Sequence, residues 1–296
     1  EVKHSAGFKL RAHDPEPLAD KNYSLRNLDQ VIVSSRLLDG NSSAWERISR
    51  DFIGKGASVD SDFNAFERIF RRVSRESISN GVWLLLGVGN RRGSSVYAML
   101  KRTMDLVLSC LLLPFLLPLG LFIYLCIRLI DKYPPFFVQK RVGYLEKPIY
   151  IYKFRTIKPG GTEADITRSG RILRRFRLDE IPQIINVLKG EISFVGPRPI
   201  WSNEYEFLKK YIPNHNLRTI VKPGITGWAQ LNFKAPPTYF NFRNDQPDKI
   251  ESNAFDAAFT RFSYDVWYIK NRSLWLDIEI MIKTGIRAFI KDSYVG

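Results

Sequence analysis

The spacing of apolar residues changes along the chain, and each change predicts an element. Ile181, Ile184, Ile185 and Leu188 recur at helical spacing, with Pro182 suited to a first turn that needs no amide donor and Gly190 to the exit. A helix is predicted there with Asp179 and Glu180 at its amino end. Val31-Ile32-Val33 reads as a short buried strand, and Ser43-Ala44-Trp45-Glu46 has capping-box spacing for a helix ending near Gly54 and Gly56. Phe63, Phe66, Ile69 and Phe70 give a second helical face, and Val82 to Leu86 a second strand. The run Gly87-Val88-Gly89-Asn90-Arg91-Arg92-Gly93 has its third glycine one place late for a dinucleotide loop and no suitably spaced acid, so it reads as a linker. The pattern divides the chain into a tail over 1–26, a small α/β accessory module over 27–92 and a larger domain over 93–296. Near the carboxyl end, Leu274, Ile278, Met281, Ile282, Ile286, Phe289 and Ile290 form one apolar face beside Lys283, Arg287 and Lys291. Such a helix either lies in a lipid headgroup plane or packs on the core with a solvated basic edge.

The longest apolar segment runs from Leu106 to Ile127, about 22 uncharged residues against the roughly 20 a helix needs to cross a bilayer. Two features count against a straight crossing. Pro114 and Pro118 lie near the middle, where each removes a helix hydrogen bond. Basic residues flank both ends, Lys101 and Arg102 before and Arg128 and Lys132 after, whereas a crossing segment carries its basic excess on the cytoplasmic side. A hairpin entering and leaving by one leaflet fits best; a straight span and a buried soluble helix are the alternatives.

Composition adds an anionic partner. Forty-five basic against thirty acidic side chains in 296 residues give a formal charge of +15, and 45% hydrophobic content supplies a core. Anionic lipid, a phosphorylated substrate and nucleic acid all fit the charge, but no zinc finger or RNP-type motif supports nucleic acid. Both cysteines, Cys110 and Cys126, fall inside the apolar segment, and the histidines His4, His13 and His215 lack ligand spacing, so neither disulfides nor zinc is expected. The first hundred residues hold no secretory signal pattern, which favours a cytoplasmic position.

Within this basic context the adjacent carboxylates are the main chemical feature. A helix amino end favours negative charge and lowers a carboxyl pKa, so an ionised Asp179 there suits a nucleophile or metal ligand better than a general acid. The plainer role is a helix cap. Lys153 and Arg155 alternate with aromatic and β-branched neighbours, which places both cations on one side of a strand and suits two points of a diphosphate. Arg168, Arg171, Arg174, Arg175 and Arg177 follow on a helix whose buried side is Ile172, Leu173 and Phe176. In Gly196-Pro197-Arg198-Pro199, prolines on both sides restrict the backbone and aim the guanidinium, as bidentate phosphate recognition requires; the alternative is an ordinary surface turn. Pro223-Gly224-Ile225-Thr226-Gly227-Trp228 is a second rigid turn.

From about Lys101 to Tyr294 these residues resemble the bacterial sugar transferases, the monotopic polyprenyl-phosphate phosphoglycosyl transferases. The resemblance rests on the order of Lys101-Arg102 with Asp105, Phe136-Phe137-Val138-Gln139-Lys140-Arg141-Val142-Gly143, Lys153-Phe154-Arg155-Thr156, Asp179-Glu180-Ile181-Pro182-Gln183, Asn186-Val187-Leu188-Lys189-Gly190 and the two proline turns. Ser273-Leu274-Trp275-Leu276-Asp277 is similar to the larger members, which carry an extra amino-terminal α/β module. The resemblance implies an α/β catalytic domain on the cytoplasmic face of a bacterial inner membrane, with a re-entrant helix hairpin over 104–131 broken near Pro118 and amphipathic interfacial helices. It implies transfer of a sugar phosphate from a nucleotide diphosphate sugar to undecaprenyl phosphate. Asp179 is the implied nucleophile, Glu180 the implied Mg2+ ligand, and Lys153, Arg155, Arg174, Gln183 and Arg198 the implied substrate contacts. The accessory module leaves regulation, spacing or a homodimer open.

Four positions depart from the family pattern. Leu117 replaces a serine before the hairpin proline, and Asp165 stands where an arginine is common. Asn232-Phe233-Lys234 replaces an asparagine-glycine-arginine-like run, and residues 235–253 form a Pro- and Asn-rich insertion. A membrane-anchored scaffold without catalysis and a basic nucleic-acid-binding protein are the rival expectations.

Overall fold

The computed structural model describes residues 4–5, 8–9, 30–33, 58–79, 94–233, 240–243, 246–250 and 254–289. The chain divides into two compact units, Glu1–Ala65 and Phe66–Gly296. In the first, strand β1 (Gln30–Val33) contains the expected Val31–Val33 and pairs in parallel with β2 (Ser58–Ser61). The helix expected after Ser43, the strand Val82–Leu86 and the linker after it lie outside the described residues. Helix α1 (Asp62–Phe70) carries the predicted face of Phe63, Phe66, Ile69 and Phe70.

The second unit is built on three apolar clusters. The largest gathers Val73, Ile78, Tyr205, Leu208, Trp228, Phe262, Val266 and Ile280. Much of it comes from helix α2 (Ser202–Tyr211), helix α3 (Ala254–Asn271) and helix α4 (Leu274–Phe289). A second joins Ile123 and Ile127 to Phe154 and Leu173, and a third joins Ile149 and Ile151 to Val187 and Ile192. Between these clusters runs an antiparallel hairpin of Phe136–Val142 with Pro148–Phe154, in the register Phe137↔Lys153 and Arg141↔Ile149. A short parallel pair, Ser193–Val195 with Gly224–Thr226, lies beyond it. The result is mixed α/β, as expected. Within the insertion, Phe240–Arg243 pairs with Gln246–Ile250, and its other residues lie outside the described set.

Residues Ser94–Cys126 form one helix of 33 residues that continues as a π-helical turn over Ile127–Asp131. Pro114 and Pro118 fall inside it without dividing it, so a hairpin of two helices is not shown. Its amino-terminal part is fastened by polar groups: Arg102 donates to the Val187 and Leu188 carbonyls, both at 2.6 Å, and buried Asp105 accepts from Ser193 Oγ at 2.9 Å and Phe194 N at 3.2 Å. Its other end is fastened by Ile123 and Ile127 and by the Asp131–Ser169 hydrogen bond. Between the two fastenings Leu111, Phe115, Leu117, Leu121 and Phe122 are exposed. Only 11% of its most apolar window is buried, unlike the core helix of a soluble protein, and an exposed apolar face of this length suits contact with lipid.

Two expectations are corrected. On the helix Arg168–Arg175, only Leu173 of the proposed buried side is buried; Ile172 and Phe176 are exposed, because eight residues present one narrow stripe to the core. The strand carrying Lys153 stops at Phe154, so Arg155 does not share its face. Helix α4 divides its apolar residues: Leu276 and Ile280 enter the core, while Trp275, Ile282 and Ile286 stay exposed.

Candidate active site

The carboxylate pair sits where the chain changes direction. Arg177 takes a left-handed conformation (φ 54°), and Leu178–Gln183 follows as a 3-10 turn with Asp179 and Glu180 in its first residues and Pro182 inside it. The chain continues as α-helix over Ile184–Lys189 and leaves through Gly190 at φ 76°, a backbone that glycine adopts without strain. The helix predicted around Pro182 is therefore present, with a tighter first turn.

This helix is tied to the hairpin by one buried side chain. Asn186 accepts from Tyr152 N at 3.1 Å and donates to the Tyr150 carbonyl at 2.7 Å and to Glu191 at 2.6 Å. It serves the free edge of strand Pro148–Phe154 as a neighbouring strand would. That attachment sets Lys153 against the turn: Lys153 Nζ lies 3.2 Å from Glu180 Oε1.

The second cation on the same oxygen is Arg198, at 3.1 Å. Its turn is held from behind. Gly196 N donates to Thr226 O and Gly224 N to Pro197 O, both at 2.9 Å, so the second glycine-proline turn is the bed of the first. A Cβ on Gly224 would stand 2.1 Å from Gly196 N, and one on Gly196 2.4 Å from Lys222 O, which is why both positions are glycine. The Arg198 carbonyl also accepts from Arg218 at 2.9 Å, and Arg218 forms a buried ion pair with Asp265 at 3.0 Å.

The electrostatics separate the two carboxyls. Burial opposes ionisation of Glu180, but Arg198 and Lys153 outweigh it and hold its pKa at about 2. Burial raises Asp179, and the Glu180 charge adds to that rise. This corrects the helix-dipole expectation: a short 3-10 turn carries too small a dipole to offset desolvation beside a permanent neighbouring anion. Burial also lowers the Lys153 ammonium, against the pull of Glu180. Asp179 itself makes no ion pair among the described residues; its carboxyl accepts a hydrogen bond from its own backbone amide and feels Lys153 and Arg174 at longer range.

Four expected residues, Asp179, Glu180, Lys153 and Arg198, therefore converge. Arg174 stands close enough to favour the Asp179 anion and donates to Thr156 Oγ1 at 2.8 Å. Gln183 is buried at the far end of the turn. Arg155 is not brought to the carboxylates: it donates to the Pro134 carbonyl at 2.8 Å and the Phe136 carbonyl at 3.3 Å, and lies over Phe137. Sequence reasoning missed Asn186, Arg218 and Asp265 as positioning residues. Asn186 stood in a quoted motif, whereas the Arg218–Asp265 pair spans 47 positions and has no local signal. Buried Asp277 was missed too; it accepts from Lys101 and Tyr97 at 2.8 Å and from Tyr268 at 2.7 Å.

A carboxyl without an ion pair beside a cation-bound one, in a mixed α/β unit that carries one long exposed apolar helix, defines a membrane-associated α/β protein with a candidate site at its Asp-Glu pair. Residues 96–291 match the bacterial sugar transferase family, and the chain belongs to it. It is 36% identical over 209 residues to UDP-N-acetylgalactosamine-undecaprenyl-phosphate N-acetylgalactosaminephosphotransferase of Aeromonas hydrophila, covering 67% of this chain and 45% of that one. It is 38% identical over 207 residues to UDP-glucose:undecaprenyl-phosphate glucose-1-phosphate transferase of Escherichia coli K12, covering 67% and 42%. An uncharacterized sugar transferase of Bacillus subtilis is 36% identical over 201 residues, 65% of this chain and 89% of its own length. The chain thus spans less than half the length of the first two relatives.

Proposed function

We propose that this protein transfers a sugar phosphate from a nucleotide diphosphate sugar to undecaprenyl phosphate, with Asp179 as the nucleophile. The observation that carries this reading is the division of labour in the pair: Glu180 is held by Lys153 and Arg198, while Asp179 has no ion pair among the described residues. In the first step an Asp179 oxygen attacks the phosphorus next to the sugar. The bridging phosphorus–oxygen bond breaks, and a nucleoside monophosphate leaves with its electron pair. In the second step an oxygen of undecaprenyl phosphate attacks the same phosphorus, and the Asp179 oxygen–phosphorus bond breaks. Arg198 and Lys153 balance the phosphoryl charge, and Arg174 favours the Asp179 anion.

Mg2+ fits the donor set. It takes hard oxygen ligands, uses one or two carboxylates and fills its other positions with water and phosphate oxygens. Both cations bond Oε1 of Glu180, so Oε2 is without a hydrogen bond among the described residues. Glu180 would hold the ion, which when bound supplies positive charge against the diphosphate.

The apolar helix supports a re-entrant placement, both ends on the cytoplasmic side of the bacterial inner membrane. Asp105 and Ile123 both dock on the same unit, and about 18 residues of straight helix between them would span about 27 Å, nearly the whole hydrocarbon core. A globular unit on one side of a bilayer does not reach both ends of such a crossing. The exposed Trp275, Ile282 and Ile286, and Ile172 and Phe176 beside exposed arginines, suit interfacial helices. The accessory module expected at 27–92, a candidate for homodimer contacts, gives its later part to the catalytic unit expected at 93–296: Val73 and Ile78 join that unit's largest core cluster.

The test is radiolabel transfer from a panel of nucleotide sugars to undecaprenyl phosphate by membranes containing the protein. The relatives' printed sugars differ, so the panel also identifies the sugar. Labelled lipid and released nucleoside monophosphate are expected from one donor; a panel without either result refutes the reading.

A further inference from the structure

Arg141 occupies an unusual position for a guanidinium. It is half-buried on strand Phe136–Val142, its Nε and Nη2 both donate to Gln139 Oε1 at 3.1 and 2.6 Å, and its Cζ lies 4.1 Å above the Trp201 ring. These contacts fix the plane of the fork and leave Nη1 without a hydrogen bond among the described residues. No carboxylate reaches it at ion-pair distance among those residues; Glu204 and Glu180 act on it only from further away. The strongest charge acting on it is Arg198, a like charge.

A half-buried guanidinium whose plane is fixed beside a second cation, with no carboxylate at ion-pair distance among the described residues, is suited to an anionic ligand. Burial and the Arg198 charge together bring the Arg141 pKa down to about 9, so an anion bound there would offset both effects. We propose that Arg141 is a further substrate-binding residue, holding the diphosphate of the nucleotide donor through Nη1. This rests on the transferase reading above.

The donor is favoured over the lipid phosphate by the extent of the cation row. Lys153 and Arg198 share one Glu180 oxygen, and Arg141 lies beyond Arg198, four register pairs along the hairpin from Lys153. At about 3.3 Å per strand residue that is about 13 Å, more than one phosphoryl group fills and suited to a diphosphate with its nucleoside.

The test uses the full chain in detergent, with Arg141→Met and Arg141→Lys, and UDP as the binding probe. Loss of a charge-assisted bond predicts that Arg141→Met raises the donor KM and weakens UDP binding by about tenfold or more, with Arg141→Lys between it and the parent. KM for undecaprenyl phosphate is expected to stay unchanged. Without ligand the Arg141→Met melting temperature is expected to stay close to the parent's, because relief of the partly desolvated charge offsets the lost Gln139 hydrogen bonds and Trp201 contact. A rise in the acceptor KM alone, an unchanged donor KM and UDP affinity, or a ligand-free fall in melting temperature that accounts for the losses would each overturn the proposal. Failure of the parent to turn over any donor or bind UDP would instead overturn the transferase reading, and this inference with it.

Discussion

Replacing Asn186 by Ala tests the link between fold and site. The substitution removes three hydrogen bonds and takes their side-chain partner from the part-buried Tyr152 amide and Tyr150 carbonyl. An unsatisfied buried backbone group costs about 1–3 kcal/mol, so these two part-buried groups, at about 1.5 kcal/mol each, cost about 3 kcal/mol together. For a unit of this size each kcal/mol lowers Tm by about 2–4 °C, which gives a fall of about 6–12 °C. The measurement is a thermal melt of detergent-purified protein, with Lys189→Ala as the control. Lys189 is exposed and bonds only the Tyr152 hydroxyl, at 3.1 Å, so no measurable shift is expected from it. Because Asn186 also fixes Lys153 against Glu180, turnover well below Tm should drop by about tenfold or more. If Asn186→Ala melts within about 2 °C of the parent, the edge-pairing argument is wrong.

Turnover needs Asp179 ionised, and burial has raised its pKa, so the acid limb of the pH–rate profile should lie above the ordinary aspartate range. The same shift means the folded state binds that proton more tightly than the unfolded one. The group's contribution to stability is therefore full below its unfolded pKa and lost as pH rises through the folded value, and Asp179→Asn should be at least as stable as the parent at neutral pH. Glu180→Gln removes the second cause of the shift, so any remaining activity should show its acid limb at lower pH; a limb that stays fixed would exclude that coupling. The same variant should need more Mg2+ for half-maximal rate, and an unchanged requirement would remove Glu180 from the metal site. Gly224→Ala drives a Cβ into the Gly196 amide and should cost about 1–3 kcal/mol and weaken donor binding through Arg198; a neutral result would show the two turns free to separate.

How much of this was legible depends on the range of each interaction. The helix at Ile181–Leu188, the exit at Gly190, the strand at Val31 and the face of α1 all follow from periodicity and local backbone chemistry, and all appear. That Asp179, Glu180, Lys153 and Arg198 belong to one site was recoverable because each stood in a distinctive short motif, whereas the ion pairs of Lys153 and Arg198 with Glu180 were not. What failed was burial. Ile172 and Phe176 are apolar but face outward, and alternation alone extended the strand past Phe154 to Arg155. The dipole argument for Asp179 failed because a sequence shows a helix start but not the desolvation around it. The role of Pro223–Gly227 as the bed for Arg198 came from backbone-to-backbone contact that only the glycines signalled.

The most direct measurement is intact-mass spectrometry of the purified protein mixed with the donor that supports turnover, before undecaprenyl phosphate is added. A mass gain equal to one sugar phosphate is expected, localised to Asp179 and missing from Asp179→Asn. Continued product formation by an enzyme that never gains that mass, or by the Asp179→Asn variant, would contradict the account.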